Sequence, residues 1–136
     1  MMTNPKFDFV FLGQSILKYQ VPLDIFHTIN HIYETNKDRL DKANGQLVGK
    51  IEDEHSLFYH GADQTKMKNH NKLPRTITHY FMEMFKHYLS WNKIREYDLH
   101  LNSIWVNEMK QHEYNPAHVH RGMLFTGLSS VMILKL

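Results

Sequence analysis

Apolar residues recur along this chain in two distinct rhythms. From Pro22 onward, Ile25, Phe26, Ile29, Ile32 and Tyr33 return at spacings of three and four, which sets them on one face of a helix. Pro22 suits the opening turn, where a missing N–H costs nothing. The helix is expected to run to about Leu40, with Ala43-Asn44-Gly45 as its stop signal. A second and clearer stripe joins Ile77, Tyr80, Phe81, Met84, Phe85, Tyr88 and Leu89 and predicts a helix over 73–91, opened by Pro74. Other stretches follow the period-two rhythm of strands. Residues 7–12 and 15–21 read as two short strands broken at Gly13-Gln14. After the second helix, Tyr97, Leu99, Leu101, Ser103 and Trp105 alternate with Asp98, His100, Asn102 and Ile104, predicting a strand over 97–108. A further strand is expected over 113–120, with Pro116 placing it at an edge or a bulge. A last one covers 129–136, rich in Val, Ile and Leu, after a loop bracketed by Gly122 and Gly127. Between 46 and 71 the pattern is weak: 47–51 and 56–59 read as short strands, 52–54 and 66–72 as solvated loops.

Strands and helices in this order make an α+β chain. Its 136 residues suffice for one domain and one core. Residues 1–96 hold the first strands and both helices, and 97–136 hold the later strands. The hydrophobic share of 42% with 12% aromatics excludes a disordered class. Sixteen basic against fourteen acidic side chains leave a net charge of +2, too little to argue for nucleic acid. Cysteine is absent, which excludes a disulfide framework, Cys-ligated zinc and a cysteine nucleophile. The apolar run after Asp8 is too short for a signal-peptide core. No stretch approaches the roughly 20 apolar residues of a membrane span. The expected setting is the cytoplasm, with no membrane partner. The chain ends inside an apolar strand, an edge open to pairing. Self-association through that strand is expected, and so is continuation of the polypeptide beyond Leu136.

Eleven histidines are many for this length and raise the question of a metal. The focus is Asn115-Pro116-Ala117-His118-Val119-His120-Arg121-Gly122. On a strand, His118 and His120 project to the same face, the spacing by which a β-barrel wall supplies two metal ligands. A chance His-x-His in a histidine-rich chain is the competing explanation. His27 and His31 share a helix face, but Thr28 stands where a zinc-protease motif needs Glu, and both lie opposite the apolar stripe. They read as solvated, as does His79. His60, His70, His100 and His112 are singletons. Glu52-Asp53-Glu54-His55 lacks the alternation and glycine of a calcium loop and reads as an acidic turn. No phosphate loop is present, and Ser129-Ser130 has no nucleophile-elbow context.

Three segments together carry a resemblance: Ile104-Trp105-Val106-Asn107, then Asn115-Pro116-Ala117-His118-Val119-His120, then Gly127-Leu128-Ser129-Ser130-Val131-Met132-Ile133-Leu134. This last third of the chain resembles the 2-oxoglutarate/Fe(II)-dependent oxygenases of bacteria and cyanophages. In that family a Trp-containing strand precedes a His-x-His, which a Leu/Ser-Gly/Ser-Val segment follows. The resemblance implies a double-stranded β-helix, or jelly roll, with two buttressing helices, incomplete here at its C-terminal side. If phage-encoded, the protein would work in a bacterial host cell. The resemblance also implies Fe(II) and 2-oxoglutarate as cofactors, with decarboxylation to succinate coupled to hydroxylation of a substrate that the sequence does not name. His118 matches the first metal ligand. His120 stands where the wider superfamily carries Asp or Glu, and a neutral imidazole there leaves the iron one negative charge short. Either the ligand set differs, or His120 sits behind the ligands. Asn107 matches a position at which related enzymes contact 2-oxoglutarate, a structural strand-end Asn being the alternative. Trp105 reads as core. The distal metal His and the basic partner of the 2-oxoglutarate C5 carboxylate would fall beyond Leu136, and Arg121 is badly placed for the latter role. The chain alone is thus expected not to be a competent oxygenase, and no catalytic residue is assigned within it. Two other classes compete: a cupin-like metal-binding protein, and a metal-free structural or interaction module. A cupin would place Glu shortly after the pair, where Met123, Leu124 and Phe125 stand.

Overall fold

The computed structural model describes residues 6–11, 15–42, 49–59, 73–116 and 127–135. Strands β1 (Phe7–Phe11) and β2 (Ser15–Tyr19) form an antiparallel hairpin in which Phe7 faces Tyr19 and Phe11 faces Ser15. Helix α1 (Leu23–Asn36) starts directly after Pro22, whose carbonyl accepts from the Phe26 N–H at 3.0 Å. Its stripe turns inward as the spacing requires: Ile29 and Tyr33 are buried, and Ile25 and Ile32 pack beside them. The helix stops short of Leu40. Thr35 and Asn36 bond back to the carbonyls of His31 and Ile32, at 2.6 and 2.8 Å, and such side chains compete with the helix ladder. One 3-10 turn (Lys37–Arg39) follows, and Leu40 then seals the core.

Strand β3 (Asp53–Tyr59) pairs antiparallel with β4 (Ser103–Glu108), and helix α2 (Arg75–Trp91) lies between them in sequence. The described fold is thus α+β, two helices with two separate two-stranded antiparallel sheets. The β3–β4 register shifts between Ser56 and Phe58. This bulge lets two consecutive side chains, Leu57 and Phe58, pack on the same core. Leu57 meets Ile29, Tyr33 and Leu40, together with Leu73 and Ile77 from the α2 end of the chain; Ile104 and Val106 of β4 pack against this cluster. The hairpin docks separately on α2. The Tyr88 hydroxyl donates to the Ser15 carbonyl at 2.9 Å, the Ser15 hydroxyl bonds the Asn92 amide, and Tyr19 meets His87 Nδ1 at 2.6 Å. The Phe7 ring sits edge-on to His87 and Trp91.

Several sequence expectations need correction. Among the described residues the strand expected over 97–108 has its ladder from Ser103, paired with Tyr59, to Glu108. Leu99 and Leu101 still turn inward while Asp98 and His100 face water. Residues 129–135 hold no ladder among the described residues, yet they alternate as a strand would. Met132 and Leu134 pack on the core, whereas Val131 and Ile133 are 92% and 63% exposed. Period two records which side chains face inward, not whether the backbone has found a partner. Of the strand expected over 113–120, Tyr114 makes an isolated bridge to Lys50, and 117–120 lie outside the described residues. That bridge brings Gly49 so close that an added Cβ would collide with the Tyr114 carbonyl and lie 2.9 Å from Pro116 Cδ. The acidic turn read at 52–55 is instead the entry to β3, with Glu54 and His55 only 5% and 7% exposed.

Candidate functional site

The two faces of the β3–β4 ladder carry different chemistry. Ile104, Val106, His55 and Leu57 belong to the helix side, where Tyr33 meets both His55 and Glu108. Alternation puts Trp105 and Asn107 of β4 on the far side, facing Ser56 and Glu54 of β3 in register. Glu54 and Ser56 are nevertheless buried. A sheet face turned from its helices is ordinarily solvated or apolar, whereas here two polar residues, Glu54 and Ser56, are buried on it. The Asn107 amide oxygen is buried with no hydrogen-bond partner among the described residues. Such a group costs free energy unless something satisfies it. Trp105, expected in the core, is 37% exposed on this same face, because β4 spends its inward positions on Ile104 and Val106. His118, His120 and Arg121 lie outside the described residues. Among the described residues no three His, Asp or Glu side chains gather as a metal site would require.

On the helix side the ladder carries a hydrogen-bonded cluster that sequence reasoning missed. The Tyr33 hydroxyl donates to Glu108 Oε2 at 3.0 Å and lies 3.4 Å from His55 Nδ1, with the two rings 5.8 Å apart. A phenol has one proton, so with that proton on Glu108 the neutral imidazole must offer its own from Nδ1. Burial first, and the Glu108 carboxylate second, hold the Tyr33 hydroxyl well above its ordinary value. It stays protonated, a donor and not a base. Burial likewise holds His55 below the ordinary histidine value, against the pull of Asp53 and Glu108. Beside this cluster opens a cleft of about 440 Å³ lined by Lys37, Lys42 and Lys110, by Asp38, Asp53 and Glu108, and by His55 and Leu40. Asp53 receives Lys110 at 2.6 Å and Lys42 at 3.3 Å, and these bonds hold its carboxyl below the usual carboxylate range. Lys37 reaches Glu34 at 3.0 Å and Glu108 at 4.0 Å. Three ammoniums thus meet three carboxylates, and the cleft presents no net charge to an incoming ion. A signal for this cluster was available: His55 and Leu57 alternate with Glu54 and Ser56, a strand pattern beneath the acidic composition.

His27, His31, His79, His100 and His112 stand apart from both faces. His27, His31 and His79 are exposed, as their helix positions require. His100 pairs with Asp98 at 3.0 Å in solvent, and His112 occupies a left-handed turn position at φ 70°. His60 and His70 lie outside the described residues. Compared with known proteins, the chain matches no family model, no curated protein and no solved structure. No helix among the described residues is long and apolar enough to cross a membrane.

Proposed function

We propose that this chain serves Fe(II)/2-oxoglutarate-dependent oxygenation, with His118 and His120 holding iron and Asn107 contacting 2-oxoglutarate on the inner wall of a jelly roll. The observation that carries it is the buried amide group of Asn107, its oxygen without a hydrogen-bond partner among the described residues, on the face of β4 turned from the helices; β4 is the strand that leads toward the His-x-His segment. An amide can turn its NH₂ toward the open side, and that is the end a carboxylate or keto oxygen accepts from. The polar residue types beside it, Glu54 and Ser56, do not suit an apolar core. When bound, iron would serve to activate dioxygen, the oxidant, while 2-oxoglutarate, decarboxylated to succinate, would supply two of the four electrons and the substrate the other two. This chain's own part is to orient the 2-oxoglutarate through Asn107. Both imidazoles must be neutral to bind the ion, so metal affinity should fall as the solution is acidified.

The test is equilibrium dialysis of the chain against Fe(II) under anaerobic conditions, with and without 2-oxoglutarate. One iron per chain is expected, lost in His118→Ala and weakened in His120→Ala. Asn107→Ala should keep the iron and weaken 2-oxoglutarate about tenfold, the worth of one hydrogen bond to a charged group. Iron uptake unchanged by both histidine substitutions would contradict the proposal. Iron bound with no affinity for 2-oxoglutarate would favour a cupin-like metal protein instead.

A further inference from the structure

The His55 cluster joins three elements through one phenol. Tyr33 belongs to the last turns of α1, His55 to β3 and Glu108 to β4. The chain just after α1 is fastened to the same strand, where the Ser56 N–H donates to the Asp41 carbonyl at 2.9 Å and Lys42 bridges His55. The end of α1 and the segment following it are therefore seated on β3 around a buried imidazole.

We propose that His55 is a proton-operated latch: neutral, it seats the end of α1 on the β3–β4 ladder, and protonated, it lets that end lift and opens the adjoining cleft. The neutral ring satisfies the geometry with one N–H, given to the Tyr33 oxygen, while the phenol proton goes to Glu108. A proton taken from water onto Nε2 creates a full charge in a residue only 7% exposed. The groups facing it are mixed. Asp53 on its own strand and Glu108 on β4 favour the charged ring, whereas Lys42 after α1 and Lys37 at the end of α1 oppose it. Lys110 of the chain after β4 is already committed to Asp53. Burial outweighs the two carboxylates. His55 also lines the cleft, so the charged ring can reach water there by turning from Tyr33. That turn removes the imidazole's share of the hold on the end of α1 and leaves the Tyr33–Glu108 and Asp41–Ser56 bonds to hold it alone.

The sign follows from linkage. A histidine lowered in the folded state contributes its full stabilisation above the ordinary value of 6.5. That contribution shrinks as pH falls from 6.5 toward the lowered folded value, and below the latter it is constant. The experiment is histidine ring NMR of the wild-type chain between pH 7.5 and 5, with urea unfolding at both ends of the range. The His55 ring should titrate below 6.5, the ring-to-ring contact with Tyr33 should fade as it does so, and the folding equilibrium constant should fall several-fold. His55→Gln, which donates but does not titrate, should lose most of that pH dependence, and the exposed-site control His31→Gln should keep it. A His55 ring titrating at or above 6.5, or one that titrates while its contact with Tyr33 persists, would overturn the latch. Should His55→Gln fail to fold, the wild-type titration and contact decide alone.

Discussion

Leu57 has no exposed surface and touches both the α1 side and the α2 side of the core. Leu57→Ala should cost about 2–5 kcal/mol, read as a lowered urea midpoint at unchanged slope. The upper part of that range is expected, because the bulge that carries Leu57 fixes its backbone and limits collapse around the void. Asn107 lies on β4 as the strand pattern expects, but the inward face of β4 is the one that carries Ile104 and Val106, so Asn107 and Trp105 fall on the other. The strand that carries His55 was legible in its alternation, but the partners of His55 were not. Those partners stand 22 residues away, at Tyr33, and, through Tyr33, 75 residues further, at Glu108. Nothing local in Glu52-Asp53-Glu54-His55 records those contacts, and the charge of the run suggested water where the strand supplies a core. Trp105 failed for a simpler reason: its large apolar ring argued for burial, but its parity along β4 decided the matter.

Helices were legible as elements because a stripe at 3.6 spacing states both the structure and the buried face. Ile77 and Leu89 of α2 are buried, as that stripe requires. The exit of α2 is another matter. The Ile94 N–H bonds the Leu89 carbonyl at 2.9 Å and the Lys93 N–H bonds the Ser90 carbonyl at 3.0 Å, with Lys93 at φ 59°. This is a Schellman end whose left-handed position, the usual place of glycine, is held by lysine. Lys93→Gly should therefore stabilise the chain by about 1 kcal/mol, seen as a raised melting temperature. An unchanged or lowered melting temperature would show that the lysine side chain contributes more there than its backbone costs. Strands were half legible. Alternation in 97–101 marks Leu99 and Leu101 as inward but not the exposed Tyr97, and the unbroken apolar run 131–134 does not tell Met132 and Leu134, which pack on the core, from Val131 and Ile133, which do not. The ladder partners depend on segments distant in sequence, and no local pattern names them.

At the scale of the whole molecule, the β3–β4 ladder divides two kinds of chemistry. Toward the helices lies a charge-balanced cluster built around a neutral imidazole, suited to holding elements together. On the other face lie Asn107, the buried Glu54 and Ser56, and the partly exposed Trp105, the face to which the proposed function assigns 2-oxoglutarate. The central claim is that iron belongs to the second face. Paramagnetic broadening by Mn(II), a spin-rich stand-in for Fe(II), tests it most directly on the intact chain. Stoichiometric Mn(II) should broaden the Asn107 side-chain amide and the Trp105 indole while sparing the His55 and Tyr33 rings, and His118→Ala with His120→Ala should abolish the effect. Broadening centred on His55 and Asp53, or none that depends on the two histidines, would contradict it.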